Sequence, residues 1–131
     1  MKLLACDYDG TLYDYEGHVK EEDVKAIVQF QKEGNLFGMC TGRPIQFLKP
    51  FIDERIQPDF YICISGSCIY DKDGNPLLYK TYDAHIGQQL YEMYKEYPML
   101  FYGKDTCYSY HLDFENDIFQ PLNSFDDFHQ E

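Results

Sequence analysis

Short apolar runs alternate with longer helical patterns through the first half of the chain. Residues 2–6, Lys-Leu-Leu-Ala-Cys, form a compact run that stops at Asp7. Residues 21–33 carry Val24, Ile27, Val28 and Phe30 at helical spacing, and Gly34 stands where a left-handed residue would end the helix. Residues 36–40 make a second apolar run that ends in the polar turn Thr41-Gly42-Arg43-Pro44. Pro44 suits a first helical turn, and Ile45, Leu48 and Ile52 with Phe47 and Phe51 predict an apolar helical face that Pro50 should kink or shorten. Phe60, Ile62 and Ile64 alternate in a third strand that ends at Ser65-Gly66-Ser67.

Strands alternating with helices of this length imply an α/β fold with parallel pairing through right-handed crossovers. In such sheets the chemistry gathers beyond the carboxyl ends of the strands. The polar clusters after the three strands are Asp7/Asp9, Thr41/Arg43 and Ser65/Ser67, and all three fall on that edge. The strands follow from the apolar pattern alone, so the coincidence points to a site.

After Ser67 the pattern changes. Residues 68–71 and 77–80 flank Lys72-Asp73-Gly74-Asn75-Pro76 and read as a β-hairpin around an Asp-Gly turn. Residues 85–97 read as a helix with Ile86, Leu90, Met93 and Tyr94 on one side, ended by Pro98. Residues 99–102 and 107–112 read as two strands joined by Gly103-Lys104-Asp105-Thr106. The tail from Asp113 is acidic, aromatic and without clear period.

Composition narrows the function classes. The chain has 131 residues, 44% hydrophobic and 18% aromatic, enough for a packed core and too much for a disordered chain. A net charge of −12 argues against nucleic acid and anionic membrane surfaces as partners. No apolar run approaches the ~18 residues that a membrane span needs, and the three apolar residues before Cys6 are too few for a lipoprotein signal. The five cysteines, Cys6, Cys40, Cys63, Cys68 and Cys107, form no Cys-x-x-Cys pair. They fit a reducing cytoplasmic setting better than a disulfide framework or a zinc site. His18, His85, His111 and His129 show no metal-ligand spacing, and the thirteen tyrosines read as core and hairpin packing.

Asp7-Tyr8-Asp9-Gly10-Thr11-Leu12 carries the chemical argument. Two carboxylates two residues apart, at the end of a buried strand, would point the same way. Like charges that close are costly unless a cation neutralises them, and hard Mg²⁺ prefers such oxygens. Gly10 lets the chain turn sharply straight afterwards. An acidic turn with Asp capping a loop is the plainer alternative.

With these residues the sequence resembles the haloacid dehalogenase superfamily of phosphotransferases, in its Cof-like subgroup. The resemblance runs from Met1 to about Leu112. It rests on the Asp-x-Asp-Gly-Thr-Leu start, the helix ending at Gly34, and the strand leading into Thr41-Gly42-Arg43-Pro44. Ser65-Gly66-Ser67 and the Ile69-Tyr70-Asp71 hairpin stand where that subgroup has its turn before a cap. The resemblance implies a partial Rossmann-like parallel three-layer core of three strands, followed by a truncated α+β cap. The divisions would be 1–67 for the core half, 68–82 for the hairpin and linker, and 83–131 for a partial cap with an acidic tail.

The same resemblance implies a Mg²⁺-dependent phosphatase of small phosphorylated metabolites such as sugar phosphates. Asp7 would attack phosphorus to form an aspartyl phosphate, and Asp9 would protonate the leaving oxygen and then activate water. Mg²⁺ would be held by Asp7 and Asp9, the latter through its carbonyl. Gly10, Thr41, Gly42, Arg43 and Ser65 would contact phosphate or substrate, with the Gly42 amide near a helix N-terminus. Arg43 has a second reading, as a surface arginine pairing with the acidic rim. The family also uses a lysine and a Gly-Asp-x-x-x-Asp-like acidic pair on later core strands. Lys104, in a hairpin, and Asp126-Asp127, without a preceding apolar strand, do not match them. The alternative expectation is therefore a truncated, catalytically weak or inactive remnant that at most binds phosphate and Mg²⁺. The family's strand order would leave residues 2–7 as an open apolar edge, which predicts a homodimer or swapped assembly that covers it, with the tail as second choice.

Overall fold

The computed structural model describes residues 1–113 and 118–128, which divide into two units, 1–80 and 81–131. His129 lies outside the described residues. The first unit is a five-stranded sheet in the order β1 (Leu3–Asp7), β2 (Leu36–Cys40), β3 (Phe60–Cys63), β4 (Cys68–Asp71) and β5 (Pro76–Tyr79). The first three strands are parallel, with Asp7 beside Cys40 in the β1–β2 register and Gly38 beside Phe60 in the β2–β3 register. The hairpin β4–β5 does not stand apart as a linker. It continues the same sheet antiparallel from β3, in the register Cys63 to Cys68.

The helix α1 (Glu21–Lys32) joins β1 to β2. Glu21, Glu22 and Asp23 in its first turn and Lys32 in its last complement the helix dipole at both ends. Gly34 follows with φ +80°, the left-handed conformation that the sequence predicts for a helix stop. The helix expected after Pro44 is absent. Two short 3₁₀ turns, Ile45–Phe47 and Lys49–Phe51, take its place, because Pro50 withholds the N–H that a continuous α-helix would need.

Phe37, Met39, Leu48 and Cys63 are fully buried at the centre of this unit. Burial pushes the Cys63 thiol up to about 12, so it stays a neutral apolar residue. All five cysteines are free thiols. β1 lies on the edge of the sheet, as the family's strand order implies and against the buried strand that its apolar residues alone suggest, and Leu3 and Leu4 are exposed at 62% and 45%.

Beside the sheet, Asp53 binds one arginine on two sides. Arg55 donates from Nε to Asp53 Oδ1 at 2.8 Å and from Nη2 to Oδ2 at 2.6 Å, while its Nη1 reaches Glu21 Oε2 at 2.6 Å. These donors pull the Asp53 carboxyl down from an ordinary 3.8 to about 2. A depressed carboxyl stabilises the folded state above its unfolded value, and that contribution is lost as pH falls through the folded one. Urea unfolding of the wild type and Asp53→Asn should therefore show a stability gap that narrows between about pH 4 and pH 2. A gap independent of pH would contradict this ion pair.

The second unit holds α2 (Ala84–Tyr94), β6 (Met99–Tyr102), β7 (Cys107–Tyr110), β8 (Phe119–Pro121) and α3 (Phe125–Phe128). Asp83 caps α2 by accepting the His85 N–H at 2.8 Å. From α2, Tyr91 packs against Phe101, Tyr110 and Phe125 at ring distances of 5.2–6.4 Å. The tail is not the patternless segment its sequence suggests. Its β8 pairs parallel with β7, and Leu122 and Phe125 are buried. Within the described residues the tail strand β8 pairs with β7.

Candidate active site

Asp7 is the last residue of β1, and the chain turns immediately after it. Leu12 and Tyr13 donate their N–H groups back to the carbonyls of Asp7 and Tyr8 at 3.3 and 3.0 Å, and Gly10 donates to Tyr13 O at 2.8 Å. Gly10 has φ +72°, a conformation that side chains with a Cβ rarely adopt. The loop is held from beneath by two aromatic rings. Tyr8 stacks on Tyr13 at 4.4 Å, Tyr8 Oη donates to Phe51 O at 3.3 Å, and Tyr13 Oη accepts the Asp53 N–H at 2.5 Å. Burial pushes both phenols up, so each keeps its proton.

The two carboxylates part company. Asp7 Oδ2 accepts the Thr11 hydroxyl at 2.7 Å. Asp9 is gripped by Arg43, whose Nε reaches Oδ2 at 2.9 Å and whose Nη2 reaches Oδ1 at 2.5 Å. The expected pair aimed at one shared cation is thus two acids with separate partners. The reading of Arg43 as a residue pairing with acid is the one its contacts display.

The other strand ends converge on this loop by register. Thr41 follows Cys40, the neighbour of Asp7, and is buried. Its Oγ1 accepts the Arg43 N–H at 3.1 Å, which leaves the hydroxyl proton to give elsewhere. Ser65 N–H donates to Thr41 O at 3.2 Å, and Ile64 N–H to Arg43 O at 3.1 Å. A Cβ on Gly42 would lie 3.7 Å from Ser65 Oγ, so these two positions face each other closely. Ile64 and Ser65 both carry positive φ, 49° and 51°, an uncommon conformation and a strained one for β-branched Ile64. The helix N-terminus expected behind Gly42 is replaced by the three-residue 3₁₀ turn.

Thr41, Gly42, Arg43 and Ser65 therefore stand together, joined to Asp9 through Arg43. Asp7, Asp9, Gly10, Gly42 and Ser65 are all exposed, so the cluster is open to solvent. Thr11 as the partner of Asp7, and Tyr8 and Phe47 as the rings flanking Arg43, have roles in the site that the motifs do not reveal. A hydroxyl four residues after an acid, across a glycine turn, is the signal that could find the first.

The oxygens here suit a hard cation. Asp7 offers a carboxylate at a solvent-open turn, and the Asp9 carbonyl stands two residues on. Among the described residues no group of three His, Cys, Asp or Glu side chains could hold a metal. The fit is to a cation that keeps much of its water, as Mg²⁺ does.

The family model described as haloacid dehalogenase-like hydrolase matches residues 4–131. An uncharacterized protein of Mycoplasma capricolum is 33% identical over 100 residues, covering 72% of this chain and 37% of its own length. YxeH of Bacillus subtilis, named only provisionally as a phosphatase, is 30% identical over 120 residues, covering 86% of this chain and 44% of its own. Among solved structures, a haloacid dehalogenase-like hydrolase from B. subtilis matches all of this chain and 57% of its own, with a TM-score of 0.80 at 22% identity. The subclass IIB sugar phosphatase BT4131 matches 99% of this chain and 55% of its own, with a TM-score of 0.75 at 18% identity. The likeness to these structures is one of fold. The chain spans less than half the length of the two curated relatives and just over half that of the two solved chains.

Proposed function

The chain belongs to the haloacid dehalogenase-like hydrolase family, and from that premise we propose that its strand-end cluster performs phosphoryl transfer from small phosphorylated metabolites in the cytoplasm. The observation that carries the proposal is the convergence of Asp7, Asp9, Thr41, Gly42 and Ser65 on one solvent-open edge. Asp7, freed of hydrogen-bond competition except from Thr11, attacks phosphorus and takes the phosphoryl group. Asp9, having taken a proton from solvent, gives it to the departing oxygen, and then takes one from the water that hydrolyses the aspartyl phosphate. Thr41 Oγ and the Gly42 N–H donate to the phosphoryl oxygens as charge builds on them. When bound at Asp7 and the Asp9 carbonyl, Mg²⁺ supplies positive charge against the phosphoryl oxygens.

Two observations support a weaker version for a polypeptide of these 131 residues. The described part gathers no three-acid metal cluster, and the relatives are about twice as long. In this version phosphate and Mg²⁺ bind weakly and turnover is slow. Release of phosphate from an aryl phosphate, with and without Mg²⁺, tests the proposal. Release that Mg²⁺ does not affect, or that survives loss of Asp7, overturns it.

The proposal extends to association. The exposed edge of β1 presents unpaired backbone groups beside Leu3 and Leu4, next to a groove of about 380 Å³ lined by Leu4, Cys6, Leu12, Ala26 and Phe30. A second copy of the chain covers that edge. Light scattering should give a dimer mass, and a monodisperse monomer with fast amide exchange along residues 3–6 would contradict it.

A further inference from the structure

Arg43 is built into its place more firmly than a surface arginine is. Its guanidinium lies 4.9 Å from the Tyr8 ring centre and 5.0 Å from that of Phe47. Nη1 reaches Phe47 O at 3.4 Å, and the main chain is tied at both ends, N–H to Thr41 Oγ1 and carbonyl to Ile64 N–H. Two aromatic faces and a fixed backbone hold the plane of the fork, while its edge takes both oxygens of Asp9.

That grip conflicts with the work assigned to Asp9. A carboxylate engaged on both oxygens by one guanidinium cannot also meet a leaving group. A phosphate dianion offers the same two-oxygen geometry with more charge, and Arg43 directly follows in the chain the Thr41-Gly42 segment proposed to receive it. We infer that Arg43 is a latch: it occupies Asp9 in the empty site and exchanges that carboxylate for oxygens of the arriving phosphate, which frees Asp9 to act. The inference rests on the phosphoryl-transfer reading above. Arg43 is in this sense a positioning residue whose partner reports whether the site is filled.

The latch makes Asp9 and phosphate competitors for one fork, and competition differs measurably from simple repulsion. Replacing Asp9 by Asn removes a negative charge, which helps an anion whether or not Arg43 is present. With the latch there is an added gain that exists only when Arg43 is there to be released.

The experiment is a double-mutant cycle on the 131-residue chain, with inorganic phosphate as the probe in calorimetry. The wild type, Asp9→Asn, Arg43→Gln and the double variant are compared. Asp9→Asn should tighten phosphate binding about tenfold with Arg43 present and no more than about threefold without it. Arg43→Lys, which keeps the charge but not the fork, should show the smaller gain. In the wild type the Arg43 Nε–H resonance should move as phosphate saturates the site. Equal gains in the wild-type and Arg43→Gln backgrounds, or a resonance that does not move while phosphate binds, overturn the latch and leave the phosphate site standing. Phosphate binding by none of the four forms overturns both.

Discussion

Asp7→Asn should lower Mg²⁺-dependent release of phosphate from an aryl phosphate by at least about 10³-fold. The amide is isosteric and can still accept from Thr11, so the loop geometry survives. It lacks the charge needed to displace an aryloxide from phosphorus, and it lacks an anionic oxygen for Mg²⁺. Each loss alone commonly costs about 3–4 kcal/mol of transition-state stabilisation. Single-turnover measurement at high protein concentration reads the effect, because turnover of the 131-residue chain itself should be below about 1 s⁻¹. The family resemblance calls for a lysine beside the nucleophile, and no residue of this chain matches that motif. Without it Asp7 and a phosphate dianion repel each other. Faster turnover that Asp7→Asn abolishes would show that groups outside the described cluster supply the missing charge.

The largest effect on stability is expected at Gly38. It is buried in the middle of β2, directly beside Phe60 of β3. A Cβ at this position would stand 2.3–2.5 Å from three carbons of the Phe60 ring. The ring is itself largely buried and cannot swing into solvent. Gly38→Ala must therefore push apart two central strands or force the ring off its rotamer, at a cost of about 3 kcal/mol. The melting temperature should fall by about 10 °C or more. Adding Phe60→Leu removes the ring and should restore part of the loss, so that the two substitutions together cost less than their sum. A Gly38→Ala protein that melts like the wild type would mean that the ring does not cover this position.

The strands of the first unit are legible because each is a short apolar run closed by a polar turn. Their carboxyl ends follow from that pattern, and with them the grouping of Asp7, Thr41 and Ser65. What the sequence hides is pairing at long range. Nothing near Arg43 names Asp9, thirty-four positions away, as its partner. The tail is hidden for a different reason: β8 is three residues long and ends in Pro121, so it carries no alternation to read. The helix after Pro44 does not form because apolar spacing is only half of a helix. The N–H groups must also be present, and Pro50 breaks the ladder in its first turns. The open position of β1 follows from the family's strand order, yet its apolar residues alone suggest a buried strand.

The order β1-β2-β3-β4-β5 repeats the order of the chain. Each strand joins the free side of a sheet already begun, so no strand has to be inserted between two that have paired. A chain leaving the ribosome can therefore assemble this unit as it is made, N-terminal strand first, once residues up to Cys40 have emerged. The slowest step is the first, since β1 must wait for α1 and β2, whereas β4 and β5 close through short turns. Growth by addition on one side leaves the starting strand with one side that these five strands do not pair, and a nascent sheet of this kind presents β1 to its neighbours on the polysome from the moment it forms.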